Sequence, residues 1–200
     1  MKEYVLKRVN GQPDWSAIPA LQIDHQRREN KDNVTAQAQL CWDEEAIYLR
    51  MEAVEPDIRQ EETDPLAEIC KDSCLEFFLQ PTDRVDYFNF EINPNRAIYL
   101  GFGPDLPNNI RQIVPEVQDL LDIQTAFTDG GWYVTYKVPF AFIRRFFPDF
   151  NPTKGTKVRA NFYKCGDDTV KMHFLGWNPV EQEEPAFHVP KFFGQLIFGE

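Results

Sequence analysis

The chain has 200 residues, enough for one domain, and its 42 % apolar content excludes wholesale disorder. Its 21 basic and 32 acidic residues give a net charge of −11. Nucleic acids and anionic membranes bind basic surfaces, so we expect neither as a partner. The sequence shows no internal repeat and no linker, so we assign a single domain to residues 1–200.

The N-terminus and the cysteines indicate the expected environment of the protein. The first residues lack the apolar run of a signal peptide, and no stretch approaches the roughly 18 apolar residues of a membrane span. We therefore expect a cytoplasmic protein, or a secreted or periplasmic one if a leader has been removed. The four cysteines are too few for a disulfide framework. Cys70 and Cys74 have no second pair and no nearby histidine, so we expect free thiols rather than a zinc site.

Apolar and polar residues alternate along much of the chain, and Pro, Gly and Asp turns separate the alternating runs, as in antiparallel β proteins. Residues 34–43 and 47–53 alternate on either side of an acidic turn and predict a hairpin. Residues 55–71 are polar and contain two prolines, so we expect a long loop with at most one helical turn. Loops of this length in compact domains often carry function.

The second half of the chain continues the pattern. Residues 75–79 and 87–93 predict a hairpin, 97–102 predict a short strand, and 103–118 are expected to be irregular. A further hairpin is predicted from residues 121–127 and 132–138, and a short helix from residues 139–147. Three more strands are predicted at 157–165, 171–175 and 194–198. About ten short strands and one short helix predict an all-β fold, an antiparallel β-sandwich resembling a jelly roll.

The hairpin of residues 75–93 places polar side chains on the face opposite the core. A symmetric register pairs Phe78 with Asn89 and Glu76 with Glu91, which makes two carboxylates direct cross-strand neighbours about 5 Å apart at Cβ. Such like charges are destabilising unless a cation, a shared proton or a ligand lies between them. The face is predicted to be either a solvated outer surface or a platform for a polyhydroxylated ligand.

A sugar platform needs planar polar groups for hydroxyls and aromatic rings for the apolar face of a pyranose. Trp177 lies in a loop-like Gly-Trp-Asn-Pro segment, and His188 follows Phe187 in another loop. Asp167 and Asp168 predict a turn and at most a weak calcium pair. The candidate carbohydrate-binding residues are Glu76, Asn89, Glu91, Asn161, Tyr163, Trp177, Phe187 and His188.

Five motifs occur in order along the chain: Lys71-Asp-Ser-Cys-Leu-Glu-Phe-Phe78, Asn89-Phe-Glu-Ile-Asn93, Trp132-Tyr-Val-Thr-Tyr-Lys-Val-Pro139, Asn161-Phe-Tyr-Lys-Cys-Gly166, and Trp177-Asn-Pro with Phe187-His-Val-Pro-Lys-Phe-Phe-Gly194. Together they resemble the family 9 carbohydrate-binding modules, in a divergent stand-alone branch, over roughly residues 30–198. The resemblance implies a β-sandwich with structural calcium, commonly attached to xylanases. It also implies recognition of sugar reducing ends by two stacked tryptophans and polar side chains.

The resemblance carries over to individual positions only in part. Glu76 matches a sugar-contacting acid of the family, and Phe187 matches one tryptophan of the aromatic clamp. Glu91 stands where better-known members have an arginine, and no aromatic residue occupies positions 69–71, where the second tryptophan is expected. Two acids thus replace an acid–arginine pair, which indicates a different ligand.

Three functions follow from these residues. The first is non-catalytic carbohydrate binding, associated with polysaccharide or oligosaccharide catabolism. The second is a small glycoside hydrolase with Glu76 and Glu91 as its two carboxyls, which a retaining mechanism places about 5 Å apart. The third is a haem or redox sandwich with an axial pair drawn from Met51, Met172, His173 and His188.

Overall fold

A computed structural model describes residues 1–27, 33–182 and 186–200. Over these ranges the protein has fourteen strands, two short α-helices and four 3-10 turns. The strands are β1 Glu3–Arg8, β2 Leu21–Ile23, β3 His25–Gln26, β4 Thr35–Trp42, β5 Ala46–Val54, β6 Cys74–Gln80, β7 Tyr87–Ile92, β8 Ile98–Gly103, β9 Ile110–Arg111, β10 Gln124–Thr128, β11 Gly131–Pro139, β12 Lys157–Gly166, β13 His173–Gly176 and β14 Gly194–Phe198. The helices are α1 Val117–Leu120 and α2 Phe140–Ile143, and the 3-10 turns are Trp15–Ala17, Ile69–Lys71, Leu106–Asn108 and Pro190–Phe192.

Two layers of strands are joined through β1. One layer has the order β10-β11-β5-β4-β1, with β2 on β4, and the other has the order β1-β14-β12-β6-β7-β8-β9, with β13 on β12 and β3 on β13. The first half of β1 pairs with β14, and Lys7 and Arg8 at its end pair with β4. A single strand therefore closes one side of the sandwich, and β6 and β12 lie inside the second layer.

Apolar side chains from both layers form the main core. Leu40, Leu49 and Met51 from the first layer and Phe77 and Phe162 from the second are fully buried and belong to the same cluster. Phe77 stacks on Phe162 with 5.0 Å between ring centroids. The alternating phenylalanines of β6, β7 and β12 therefore fill the space between the layers, because every second side chain of a strand points to the same face.

The structure confirms the predicted β-sandwich and the main hairpins. β4 pairs with β5, β6 with β7, and β10 with β11, all antiparallel. The short helix at 139–147 is confirmed as α2 followed by a turn. Two predictions are wrong in detail. The segment 103–118, expected to be irregular, contains β9, and α1 begins at its end. Strand β1 pairs in parallel with both β14 and β4. Parallel pairing of β1 joins residues far apart in the sequence, which alternation alone cannot show.

The four cysteines form no disulfide, and three of them are buried. No helix within the described residues has the length and hydropathy to cross a membrane.

Replacing Phe77 by alanine should lower the free energy of unfolding by about 3–5 kcal/mol, because it leaves a cavity between the layers. Phe127→Ala is the matched control, since that ring is 57 % exposed, and should cost less than about 1 kcal/mol. Urea unfolding followed by tryptophan fluorescence measures both values. Equal losses in the two variants would contradict this description of the core.

Candidate functional site

Two glutamates lie side by side on the face of the second layer that points away from the main core. In the β6–β7 ladder Glu76 is the direct partner of Glu91, and Phe78 is the partner of Asn89. Strand β12 flanks β6 on its other side and places Tyr163 opposite Glu76. The register predicted from the sequence is therefore present.

This face is covered rather than solvated. The closing segment, residues 186–193, lies over it and forms a second hydrophobic cluster with Phe78, Tyr87 and Tyr163. Phe187 stacks on Tyr163 with 3.9 Å between ring centroids, and the hydroxyl of Tyr163 donates to the backbone carbonyl of Phe187 at 3.1 Å. The predicted alternative of a plain solvated surface is wrong, because aromatic side chains of the closing segment exclude water from most of the face.

A cavity of about 220 Å³ remains between the closing segment and the strands, and we call it the acidic cavity. Its wall contains Glu76 and Glu91, which are 3 % and 8 % exposed. The described residues that line it are Cys70, Glu76, Glu91, Leu106, Cys165, Asp167, Phe174, Ala186, Phe187 and His188. Three of these residues carry carboxylates, and none of them is a lysine or an arginine.

Burial alters the ionisation of the two glutamates. Burial raises the pKa of Glu91 to about 7, although a hydrogen bond donated by Asn89 Nδ2 at 2.7 Å favours its charged form. Burial, reinforced by the neighbouring charge of Glu91, raises the pKa of Glu76 well above its usual range. The thiol of Cys165 donates to Glu76 Oε1 at 2.7 Å. One of the two carboxyl groups can therefore be protonated while the other is ionised, so that the pair offers both a donor and acceptors to a ligand.

His188 forms part of the cavity wall as a neutral ring. Its Nδ1 is hydrogen bonded to the hydroxyl of Tyr87 at 2.8 Å, and its ring lies edge-on to Phe78. Burial lowers the pKa of His188 to about 4. The imidazole therefore contributes polarity without charge at neutral pH.

The structure brings only half of the predicted site residues to the cavity. Glu76, Glu91, Phe187 and His188 line it, whereas Asn89 and Asn161 lie outside the lining and support it. Asn161 Nδ2 donates to the carbonyl of Asn178 at 3.0 Å, and Asn161 Oδ1 accepts from the backbone amide of Asn178 at 2.9 Å. The amide group of Asn161 therefore anchors a loop and is not available to a ligand.

The predictions for Tyr163 and Trp177 need correction. Tyr163 is fully buried beneath Phe187, and Trp177 is 3 % exposed and belongs to the main core. Trp177 packs edge-on against Phe162 with 5.6 Å between ring centroids. A Gly-Trp-Asn-Pro sequence has the composition of a loop, but the end of β13 turns this tryptophan inward.

Sequence reasoning did not place Cys70, Cys165 or Asp167 at the site. Backbone amides of Asp167 and Asp168 donate to the carbonyls of Cys70 and Lys71, and these bonds bring the turn after β12 against the turn before β6. Positions 69–71 carry no aromatic side chain, and the thiol of Cys70 lines the cavity there. The proximity depends on the pairing of β6 with β12, which joins distant parts of the chain.

The most buried carboxylates elsewhere do not fit the structural calcium that the resemblance implies. Glu55 accepts hydrogen bonds from Ser73 Oγ and Trp132 Nε1 at 2.9 and 2.7 Å. It also forms an ion pair with Lys164 Nζ at 3.2 Å. Asp72 accepts from Arg59, from Asn93 Nδ2 and from the backbone amides of residues 61 and 62. Protein donors already surround both groups, whereas calcium needs six to eight free oxygens.

The geometry of the site disfavours the two alternative activities, glycoside hydrolysis and haem binding. Glu76 and Glu91 lie on adjacent strands in one wall, so a sugar would contact both from the same side and not lie between them, as glycoside hydrolysis requires. For haem, Met51 is fully buried in the main core, and His173 is hydrogen bonded to Lys164 at 2.8 Å. Within the described chain, no methionine lines the cavity to which His188 contributes.

The fold and the cavity define a β-sandwich binding domain, and comparisons give its family. The family description "Carbohydrate-binding family 9" matches residues 18–198. The chain therefore belongs to carbohydrate-binding family 9. No curated protein matches it significantly.

Solved structures share the fold over nearly the whole chain. A Bacteroides uniformis protein provisionally described as carbohydrate-binding has a TM-score of 0.85 at 23 % identity and covers 98 % of this chain and 99 % of its own. A family 9 module from Caldicellulosiruptor kristjanssonii in complex with glucose has a TM-score of 0.69 at 14 % identity, covering 100 % and 97 %. The cellotriose complex of a family 9 module from that organism has a TM-score of 0.71 at 14 % identity, covering 99 % and 94 %. Because the sequence identities are this low, the structural similarity establishes the fold alone.

Lys164→Met should lower the free energy of unfolding by about 3–5 kcal/mol, because it leaves the buried carboxylate of Glu55 without its cation. Lys154→Met is the control, since Lys154 pairs with Glu200 at the surface, and should change stability by less than about 1 kcal/mol. Urea unfolding at neutral pH measures both. A Lys164→Met protein as stable as the wild type would contradict the structural role of this ion pair.

The buried His188 should make stability depend on pH. The unfolded chain binds a proton on this ring below its ordinary pKa of 6.5, whereas the folded chain does so only near 4. Stability contributed by neutral His188 is therefore complete above 6.5 and lost as the pH falls toward 4. Between about pH 7 and about pH 5, the stability difference between wild type and His188→Gln should shrink by roughly 2 kcal/mol. A difference that stays constant in denaturant titrations at both pH values would refute this.

Proposed function

We propose that the protein binds a saccharide, without catalysis, in the acidic cavity between the closing segment and strands β6, β7 and β12. The observation that carries the proposal is the meeting of Glu76, Glu91, Phe187 and His188 around one cavity in a family 9 domain. A concave site with few polar groups and an apolar wall is the usual form of a small-ligand site.

The size of the cavity favours a single sugar ring. Its volume of about 220 Å³ lies below the roughly 300–1,000 Å³ of pockets for drug-sized ligands. A longer saccharide would place one terminal ring inside and extend into solvent. The Caldicellulosiruptor kristjanssonii modules complexed with glucose and with cellotriose have this fold, which makes these two sugars the first ligands to test.

The chemistry of the wall also suits a sugar. The phenyl ring of Phe187 offers an apolar surface held in place by its stack on Tyr163. Glu91 has a fixed position because Asn89 donates to its Oε1. A protonated and an ionised carboxyl side by side can donate to one hydroxyl and accept from its neighbour. These groups are pre-positioned, so little ordering is needed on binding.

The wider role rests on the same proposal. A non-catalytic module that holds a saccharide end would serve polysaccharide or oligosaccharide catabolism by keeping the substrate near a degrading enzyme, for example a xylanase. We also propose that the protein is cytoplasmic, or secreted or periplasmic if a leader has been removed. Calcium would be a structural ion at most, and the buried carboxylates Glu55 and Asp72 are already saturated by protein donors.

Isothermal titration with glucose and cellotriose, with and without calcium, should give saturable heat with one site per chain. Phe187→Ala should weaken binding at least about ten-fold, equivalent to about 1.4 kcal/mol, because the apolar wall is lost. Phe127→Ala removes an exposed ring of the other layer and should bind like the wild type. The absence of heat with any sugar of a mono- and oligosaccharide panel, under either condition, would overturn the proposal. Release of reducing sugar that Glu91→Gln abolishes would instead favour a hydrolase.

A further inference from the structure

Two cysteines and a glutamate form a compact group at the inner end of the acidic cavity. Cys74 and Glu76 are two residues apart on β6 and therefore point to the same face. Cys165 on β12 is the direct partner of Cys74 in the ladder between the two strands. The two sulfurs and a carboxylate oxygen of Glu76 all lie within 4.8 Å of one another.

This group is buried but not sealed. Cys74, Glu76 and Cys165 are 0 %, 3 % and 1 % exposed, and Glu76 and Cys165 line the cavity. A cation bound by these three groups would therefore have further coordination space on the cavity side. Central strands hold the three ligands, so their spacing is set by backbone hydrogen bonds and not by mobile loops.

The ligand atoms of this group determine which class of cation it can bind. Two sulfur ligands and one carboxylate suit a borderline-soft divalent ion with tetrahedral geometry, such as zinc. Calcium and magnesium need oxygen ligands and are disfavoured here. Zinc–sulfur and zinc–oxygen bonds of about 2.3 and 2.0 Å at a tetrahedral angle place the two ligand atoms roughly 3.5 Å apart. The 2.7 Å between Cys165 Sγ and Glu76 Oε1 must therefore widen when the cation binds.

We propose that Cys74, Glu76 and Cys165 form a binding site for a zinc-class divalent cation, with the fourth coordination position facing the acidic cavity. Binding replaces the hydrogen bond between Cys165 and Glu76 by metal bonds, and the protons of both thiols and of the carboxyl group, where it is protonated, pass to solvent. The divalent cation itself neutralises most of the negative charge of the two thiolates and the carboxylate. A metal held here would present a water molecule or a ligand hydroxyl to the cavity. The site goes beyond sugar binding and does not depend on it.

Cobalt(II) is the probe, because thiolate coordination gives it a near-ultraviolet charge-transfer band and tetrahedral geometry gives it intense visible bands. Reduced, metal-free, full-length protein should bind one Co²⁺ per chain with both signals, and Zn²⁺ should bleach them stoichiometrically. Cys165→Ser and Cys74→Ser should each weaken binding more than about 100-fold, since even second-shell changes cost roughly 10–100-fold. Cys41→Ser removes a buried thiol of the other layer and should leave the spectrum unchanged.

Glu76→Gln keeps the shape of the side chain and both sulfurs, so it tests the site even if a cysteine variant fails to fold. It should weaken Co²⁺ binding at least about ten-fold. The proposal is overturned if the folded, reduced wild type gives no thiolate–cobalt band, or if Glu76→Gln and both serine variants bind as the wild type does. These spectra are recorded without sugar, so they are independent of the saccharide titrations.

Discussion

The site depends on one constraint, the register of the β6–β7 hairpin. That register makes Glu76 and Glu91 direct neighbours on the outer face of the second layer. On an open strand pair water screens the repulsion between two adjacent carboxylates, but here the closing segment removes most of the water. Burial then raises the pKa of both acids, and the molecule keeps a small acidic cavity where a fully packed second core would otherwise form.

The closing segment connects this constraint with the rest of the fold. It runs directly into β14, which pairs with β12 and with β1, the strand that joins the two layers. Phe187 is held on Tyr163, and Phe193 packs against Phe78 and Tyr87. A binding wall supported by central strands is more rigid than one made of free loops. The many phenylalanines therefore have two uses, one in the core between the layers and one in the cover of the outer face.

Much of the site could be predicted because its first elements are local. Alternation in two runs separated by a short turn is enough to place Glu76 opposite Glu91, and the family resemblance adds Phe187. Alternation shows which face a residue occupies but not what covers that face, so Asn161 and Tyr163 were expected to meet a ligand although the closing segment lies on them. The proximity of Cys74 and Cys165, and the parallel pairing of β1, join distant parts of the chain, which no local pattern records. The sequence places Trp177 in a loop because its neighbours have loop composition. Tertiary packing instead turns its side chain into the main core.

The proposed binding mode requires one sugar ring to enter the acidic cavity beneath the closing segment. A crystal structure of the protein grown with cellotriose tests this most directly. We expect density for a terminal ring in the cavity, with its apolar face on Phe187 and its hydroxyls within hydrogen-bond distance of Glu91 or Glu76. A saccharide bound on another surface, with only water in the cavity, would contradict this binding mode.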